Sequence, residues 1–194
     1  MSLDNQPSNA YMSAFQTGMK LIKGCIQLDK QQLDNPGFFE RRKLRKAKTH
    51  FHNASKLEPA NGAPLLFIAK IEDRLGNHES SLEWLKKANQ LEPDNLILAI
   101  ETGAALGRLQ MHKEAATALE VAAQHHPHEP RIQSNLGLSY LMAGELENAV
   151  DTFKRLNQLE PDFPANQKLL DLATTVLAGN KPIPKTEAEV VRLI

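Results

Sequence analysis

The chain has 194 residues, and its 23 Lys and Arg balance its 23 Asp and Glu, so the formal net charge is zero. A neutral chain does not indicate general binding to nucleic acid or to an anionic membrane. The single cysteine, Cys25, excludes a disulfide framework. No stretch approaches the roughly 18 apolar residues of a membrane span, and the first residues show no secretory signal. These features predict a cytoplasmic protein without membrane insertion.

The N-terminal region, residues 1–61, carries two helical patterns. Apolar residues recur at three- and four-residue spacing over residues 9–33, which predicts one long amphipathic helix. Its apolar face comprises Tyr11, Phe15, Met19, Ile22, Ile26 and Leu33. A second helix is predicted over residues 38–58 and ends before Pro59, because the residue before a proline disfavours the helical conformation. The segment "LDNPG" connects the two, and Cys25 is predicted to fill the core.

Beyond this region the chain repeats at a constant spacing. Prolines stand at positions 59, 93, 127 and 161, each equally far from the last, and three of them close the triplet "LEP". The units 62–95, 96–129 and 130–163 each show a helical pattern, a short turn, a second helical pattern and a stop. In the unit 130–163 the characteristic residues are Leu136, Gly137, Tyr140, Gly144, Ala149, Phe153 and Pro161.

This pattern resembles the tetratricopeptide repeat, whose unit is about 34 residues long and whose signature places Leu-Gly, Tyr, Ala, Phe and Pro at those positions. The resemblance covers about residues 38–178 and implies an all-α fold, a right-handed superhelical solenoid of helix-turn-helix repeats. Small residues such as Gly103 and Gly137 would let the two helices of a pair approach closely. Residues 62–163 are then three full repeats, and residues 1–61 form an irregular first hairpin that caps them.

Two segments follow the last repeat. Residues 164–178, beginning at Pro164, are predicted to be a capping helix. Residues 179–194 are predicted to be a linker and a short helix, since Thr186 and Glu189 form a capping box. This last helix is apolar at its end, so it is expected to dock on the last repeat, in the groove or on another subunit. A frayed terminus is the remaining alternative.

The resemblance also implies a binding surface, because members of the family hold peptides or partner helices on the concave face that the first helices line. The predicted groove has an apolar floor and a basic fringe, which suits an apolar segment with acidic character. Its residues are Leu66, Lys70, Arg74, Ile97, Ile100, Ala104, Arg108, Arg131, Ser134, Leu138, Leu141 and Met142. The carboxylate clamp of some members is not predicted, because Glu101 stands where that clamp needs Asn.

The sequence therefore predicts a non-catalytic protein–protein interaction module that binds a peptide or partner helix. A self-assembling scaffold joined through the C-terminal segment, hence a homo-oligomer, and a regulatory segment of a larger enzyme are the alternatives.

No catalytic residues, cofactor or metal are predicted. His125, His126 and His128 are adjacent at a helix end and do not converge as metal ligands must. The basic residues within 40–52 are interpreted as a solvated helix face, since no stacking aromatic residues accompany them as a nucleic-acid site requires. Trp84 is predicted to be a second contact site if it is exposed.

Overall fold

The structure is a computed structural model, and it describes residues 7–26 and 35–194. Within these ranges the regular structure is α-helical, and strand-like pairing is limited to one isolated bridge between Lys23 and Ile26. The predicted all-α class is confirmed. The chain divides into two compact units, the N-terminal unit (Met1–Pro93) and the C-terminal unit (Asp94–Ile194).

The described part of the N-terminal unit contains helices α1 (Asn9–Ile22), α2 (Phe38–Leu57), α3 (Ala63–Arg74) and α4 (His78–Leu91). The predicted helix over residues 9–33 is therefore too long, because α1 ends at Ile22 and the next residues form a tight turn in which Gly24 has a φ of +79°. Leu33 and the start of the "LDNPG" connection lie outside the described residues.

The core of the N-terminal unit is more aromatic than the chain as a whole. The rings of Phe51 and Phe67 stack with centroids 5.1 Å apart, and Phe15 meets Phe51 edge to face at 5.4 Å. Such arrangements stabilise aromatic pairs beyond the burial of their area. Buried Glu72 is neutralised by an ion pair with Lys48 of α2 and accepts a hydrogen bond from the Asn77 amide at 2.6 Å.

The C-terminal unit contains α5 (Leu96–Arg108), α6 (His112–His125), α7 (Pro130–Ala143), α8 (Leu146–Leu159), α9 (Pro164–Leu177) and α10 (Glu187–Leu193). Local chemistry sets these bounds. The Asn95 side chain caps α5 by accepting from the backbone N–H groups of Ile97 and Leu98. Pro130 begins α7, where its missing N–H costs nothing. Gly144 ends α7 with a φ of +82°, a conformation that favours glycine.

The two helices of a pair approach closely where one of them carries a glycine, as the sequence predicts. A Cβ atom on Gly103 would lie 2.7 Å from the Leu119 side chain, and one on Gly137 would lie 2.6 Å from the ring of Phe153. The predicted role of these two glycines is confirmed. Gly18 of α1 meets Phe51 of α2 in the same way, at 2.8 Å. The first hairpin thus packs like a repeat across a much longer connection.

The predicted capping helix corresponds to α9, and the predicted short helix after residue 179 corresponds to α10. The side chain of Thr186 caps α10 by accepting from the Glu189 N–H at 3.2 Å. The assignment of residues 1–61 and 164–178 as caps of a three-repeat array remains a prediction, since the boundary between the two compact units falls at Pro93, between the first and second predicted repeats.

Candidate partner-binding surfaces

In the N-terminal unit the predicted groove residues lie on α3. Leu66 and Lys70 are half-buried. The side chain of Arg74 is 13% exposed and is held at two points: its Nε donates to the Cys25 carbonyl at 3.1 Å, and its Nη2 donates to Glu40 Oε1 at 2.8 Å. The prediction that Arg74 belongs to the basic fringe is therefore wrong, because this side chain ties the end of α3 to the start of α2.

Cys25, whose carbonyl accepts the hydrogen bond from Arg74, has a buried side chain. Burial, and secondarily the Glu40 carboxylate, raises the pKa of its thiol. A thiol that resists ionisation is a poor nucleophile. This environment agrees with the interpretation of Cys25 as a core residue.

In the C-terminal unit the predicted groove residues lie on α5 and α7, which contact each other. Two of them, Ile100 and Leu141, are buried in the main hydrophobic cluster of the unit, so the prediction that they line an open groove floor is wrong. The others reach the surface to different extents. Ile97 is 52% exposed, Arg108 and Arg131 are exposed, and the half-buried set is Ala104, Ser134, Leu138 and Met142.

The first-helix face of the C-terminal unit, which we define as Ile97, Ala104, Arg108, Arg131, Ser134, Leu138 and Met142, is thus apolar with two guanidinium groups. Ile97 and Arg131 occupy the same place of neighbouring repeats. Apolar area provides affinity, and exposed arginines select and steer a partner that carries carboxylates.

The tail segment, residues 180–194, packs within the C-terminal unit. Val190 of α10 is 4% exposed and belongs to the same hydrophobic cluster as Ile100 and Leu141, with Leu193 packed against that cluster. His112 Nε2 donates to the Lys185 carbonyl at 3.1 Å. The sequence left three placements open for the tail: the last repeat, the groove or another subunit. The structure shows the tail packed on its own chain.

Arg108 of the first-helix face lies close to the tail segment. A cleft of about 210 Å³ is lined by both, and its residues are Gly107, Arg108, Gln110, Lys185, Thr186, Glu187 and Ala188. Arg108 and Glu187, which have opposite charges, therefore line the same cleft. The complementary signs match the acidic character that the sequence predicts for a partner.

A larger cavity of about 590 Å³ lies among α6, α7 and α8, away from the predicted face. Tyr140 lines it and donates a 2.6 Å hydrogen bond to Glu120 Oε1. Burial and this hydrogen bond raise the pKa of the Tyr140 phenol. Sequence reasoning missed this cavity. Gln133 and Thr152, which line the cavity, are polar residues that precede or follow apolar core positions in the sequence, and they are buried in the structure.

The histidines around Pro127 have separate partners. His125 Nδ1 lies 3.1 Å from Asp94 Oδ1, and His126 Nε2 donates to the Asp94 carbonyl at 3.2 Å. Across residues 7–26 and 35–194, the structure places no three His, Cys, Asp or Glu side chains together as metal ligands.

Trp84 is half-buried against the core of the N-terminal unit. The ring of His52 meets it edge to face at 5.1 Å, and the Lys87 ammonium lies 4.4 Å from its centroid. Trp84 is therefore partly exposed, and a second contact site there remains a prediction.

Helix pairs that recur at a constant spacing and pack through a small residue against a large one define a helical-repeat protein. Two family models described as tetratricopeptide repeat match residues 64–95 and 108–172, together half of the chain. The chain belongs to the tetratricopeptide repeat family. No helix in the described ranges is long and apolar enough to cross a bilayer.

Solved structures similar to this chain share the fold at low sequence identity. MamA (41-end) from Desulfovibrio magneticus RS-1 has a TM-score of 0.72 at 16% identity, with 97% of each chain covered. YrrB, described as a tetratricopeptide repeat protein with an unusual peptide-binding site, has a TM-score of 0.63 at 14% identity, with 92% of this chain and 91% of YrrB covered. At these identities the likeness establishes the fold alone.

The first repeat domain of Spaghetti (RPAP3), bound to the HSP90 peptide SRMEEVD, has a TM-score of 0.57 at 19% identity, covering 61% of this chain and 94% of that one. Among curated proteins, the chain is 27% identical over 114 residues to the Protein CTR9 homolog of Arabidopsis thaliana. That stretch is 54% of this chain and 10% of the relative, so the chain spans about a tenth of the relative's length.

Proposed function

We propose that this protein is a non-catalytic interaction module whose C-terminal unit binds a peptide or a partner helix on the first-helix face. The observation that carries the proposal is the exposure of Ile97, together with half-buried Leu138 and Met142, beside two exposed arginines. Apolar side chains bordered by charge are typical of a contact surface.

The partner that fits this face is an apolar segment with acidic residues. Arg108 and Arg131 present planar guanidinium groups, which bind carboxylates through paired hydrogen bonds. A basic segment would be repelled by the same two side chains. Leu66 and Lys70 of the N-terminal unit have the same mixed character, and we include them as a second contact region.

Peptide binding by similar structures supports this proposal. The RPAP3 domain was solved with a bound peptide, and YrrB is described by its peptide-binding site. We do not propose a carboxylate clamp here, because this chain has Leu66, Lys70 and Glu101 where that clamp needs Lys, Asn and Asn.

A cytoplasmic location remains part of the proposal, since the single cysteine is buried and free. The self-assembling scaffold is not favoured, because the observation that suggested it, the apolar tail, is a contact within the chain. No contact in the described residues favours a regulatory segment of an enzyme.

Peptide selection tests this function. Peptides from a random phage-displayed library are selected on the full chain, and their affinities are measured by fluorescence polarisation. We expect peptides that combine apolar residues with Asp or Glu. We also expect Ile97→Glu or Arg131→Glu to weaken them about tenfold, which corresponds to about 1.4 kcal/mol and marks a residue that contributes to the interface. Val121→Glu is the matched control, because Val121 is 54% exposed on α6, a second helix.

Two results would overturn the proposed function. Equal weakening by Ile97→Glu and Val121→Glu would show that the first-helix face is not the binding surface. Selected peptides that are uniformly basic would contradict the charge argument.

A further inference from the structure

The tail segment, residues 180–194, is joined to α9 by a short irregular connection. Gly179 ends the preceding turn with a φ of +75°, and Pro182 and Pro184 follow without regular structure. Pro184 is buried, and the side chain of Ile183 reaches within 3.6 Å of where a Cβ of Gly144 would lie. The tail therefore lies against the ends of the hairpins before it enters α10.

Both apolar and polar contacts hold α10 in place. Val190 is its one fully buried side chain, and Leu193 is half-buried, whereas Val191 on the same helix is 69% exposed. The polar contacts include Lys181 Nζ to the Leu193 carbonyl at 2.6 Å, within the tail itself, and His112 to the Lys185 carbonyl. A helix of seven residues has little stability of its own in water, so this element depends on its docking surface.

That docking surface overlaps the predicted groove. Val190 joins the hydrophobic cluster that holds Ile100 and Leu141, the two predicted floor residues that are buried. Glu187 lies along the cleft that Arg108 lines. The tail thus places a carboxylate in the cleft that Arg108 lines and an apolar side chain in the hydrophobic cluster beneath the first helices, which is the chemistry proposed for the external partner.

We propose that the tail segment is an intrachain ligand of the first-helix face, and that a partner segment of the same chemistry displaces it. That partner is a short amphipathic helix with a carboxylate in its first turn and apolar residues three and six positions later, as Glu187, Val190 and Leu193 are spaced. This inference rests on the proposed function of the face. Tethering gives the tail a high effective concentration, so the tail lowers the apparent affinity for every competitor.

A peptide of the tail itself tests this proposal. A fluorescein-labelled peptide of residues 180–194 is titrated into the full chain and into a chain that ends at Gly179, with polarisation as the readout. We expect the shortened chain to bind the peptide at least tenfold more tightly than the full chain. The double variant Val190→Asp, Leu193→Asp of the full chain is expected to bind it as the shortened chain does, because its own tail no longer docks.

The matched control is Val191→Asp, which changes an exposed side chain of the same helix and is expected to bind as weakly as the unchanged full chain. A folded shortened chain that fails to bind the peptide would overturn the proposal, as would equal binding by the shortened and full chains. Circular dichroism checks folding. If the shortened chain and the double variant both unfold, the tail is an integral part of the core and the proposal is wrong.

Light scattering tests the other possible docking site of the tail, which is a second copy of the chain. A full chain that is dimeric, with dimers lost on shortening to Gly179, would show that the tail docks on another copy, and the intrachain proposal would fail. Failure of the tail proposal leaves the proposed function testable. Peptides selected on the full chain would then bind full and shortened chains equally while remaining sensitive to Ile97→Glu.

Discussion

Arg74 and Arg108 occupy the same place of successive repeats, yet their surroundings differ. Arg74 ends α3 and is largely buried, bound to the Cys25 carbonyl and the Glu40 carboxylate of its own unit. Arg108 ends α5, is exposed, and lines a cleft with the tail segment. One place in the repeat therefore serves internal structure in the N-terminal unit and, we propose, recognition in the C-terminal unit.

Glu72 and Tyr140 make a second such pair, at the same place of the first and third repeats. Glu72 is buried and paired with Lys48, whereas Tyr140 donates to Glu120. Each unit satisfies its buried polar group with a partner from a different place in the repeat. The repeat register thus fixes where a side chain lies, and the neighbours of each unit decide what that side chain does.

The largest effects are expected from placing a larger side chain at the close glycine contacts, one of which lies within each unit. Gly18→Val and Gly137→Val should each lower the free energy of unfolding by roughly 1–3 kcal/mol, because a branched side chain would overlap Phe51 or Phe153. Gly107→Ala is the control. A Cβ at Gly107 meets nothing within 4 Å, so it should stabilise α5 by up to about 1 kcal/mol. Urea denaturation measures all three.

A neutral Gly18→Val would contradict the conclusion that the first hairpin packs like a repeat. An equal loss in Gly107→Ala would show that glycine itself, and not close approach, matters at these positions.

The next effect separates the two arginines. Arg74→Ala should cost about 1.5–3 kcal/mol, since it removes charged hydrogen bonds at a largely buried site. Arg108→Ala should cost less than about 1 kcal/mol, as an exposed charge does, but should weaken selected acidic peptides several-fold. Thermal denaturation and polarisation on the same two variants give both quantities. If Arg74→Ala lost peptide binding but kept its stability, Arg74 would be a residue of the binding surface and our structural interpretation of it would be wrong.

Tyr140 gives a smaller effect that belongs to the C-terminal unit. Tyr140→Phe should cost about 1 kcal/mol at neutral pH, the usual value of one hydrogen bond. The folded pKa of Tyr140 is raised by burial and by the bond to Glu120. Its contribution is therefore present below pH 10, the ordinary value, and is lost as the pH rises above it. Stability curves from pH 8 to pH 11 should show a steeper fall in the unchanged chain than in Tyr140→Phe.

The smallest effect concerns the N-terminal unit. Burial, and secondarily Lys48, lowers the pKa of His52 below its ordinary value of 6.5. A folded state that disfavours the proton loses stability as the pH falls below 6.5. His52→Gln should flatten the stability profile between pH 7 and pH 5, measured by thermal denaturation. An unchanged slope would show that His52 titrates equally in the folded and unfolded chain.

Much of the fold follows from the sequence because its signals are local. Each of the regularly spaced prolines ends one helix, Gly144 forms the turn of one hairpin, and Gly137 lets the two helices of that hairpin approach. Because such signals act locally and recur at a constant spacing, they locate the repeats. Gly18 was missed because its partner Phe51 lies much farther along the chain than Phe153 lies from Gly137. Alignment on small–large pairs, instead of on fixed spacing, would have found it.

The candidate site was predicted less well, for a physical reason. Whether Arg74 is available depends on the Cys25 carbonyl and on Glu40, which sequence periodicity does not place. Whether Ile100 and Leu141 are open depends on the rest of the hydrophobic cluster, which includes Val190 at the far end of the chain. Such contacts are distant in sequence, and repeat position alone does not reveal them.

Mapping a bound peptide by NMR tests most directly whether the first-helix face of the C-terminal unit is the recognition surface. The tightest phage-selected peptide is titrated into the isotope-labelled chain ending at Gly179, and methyl chemical shifts are followed. We predict the largest changes at Ile97, Leu138 and Met142, with small changes at Val121. Largest changes at Val121 and other residues of α6 and α8 would contradict it and would place recognition on the second helices.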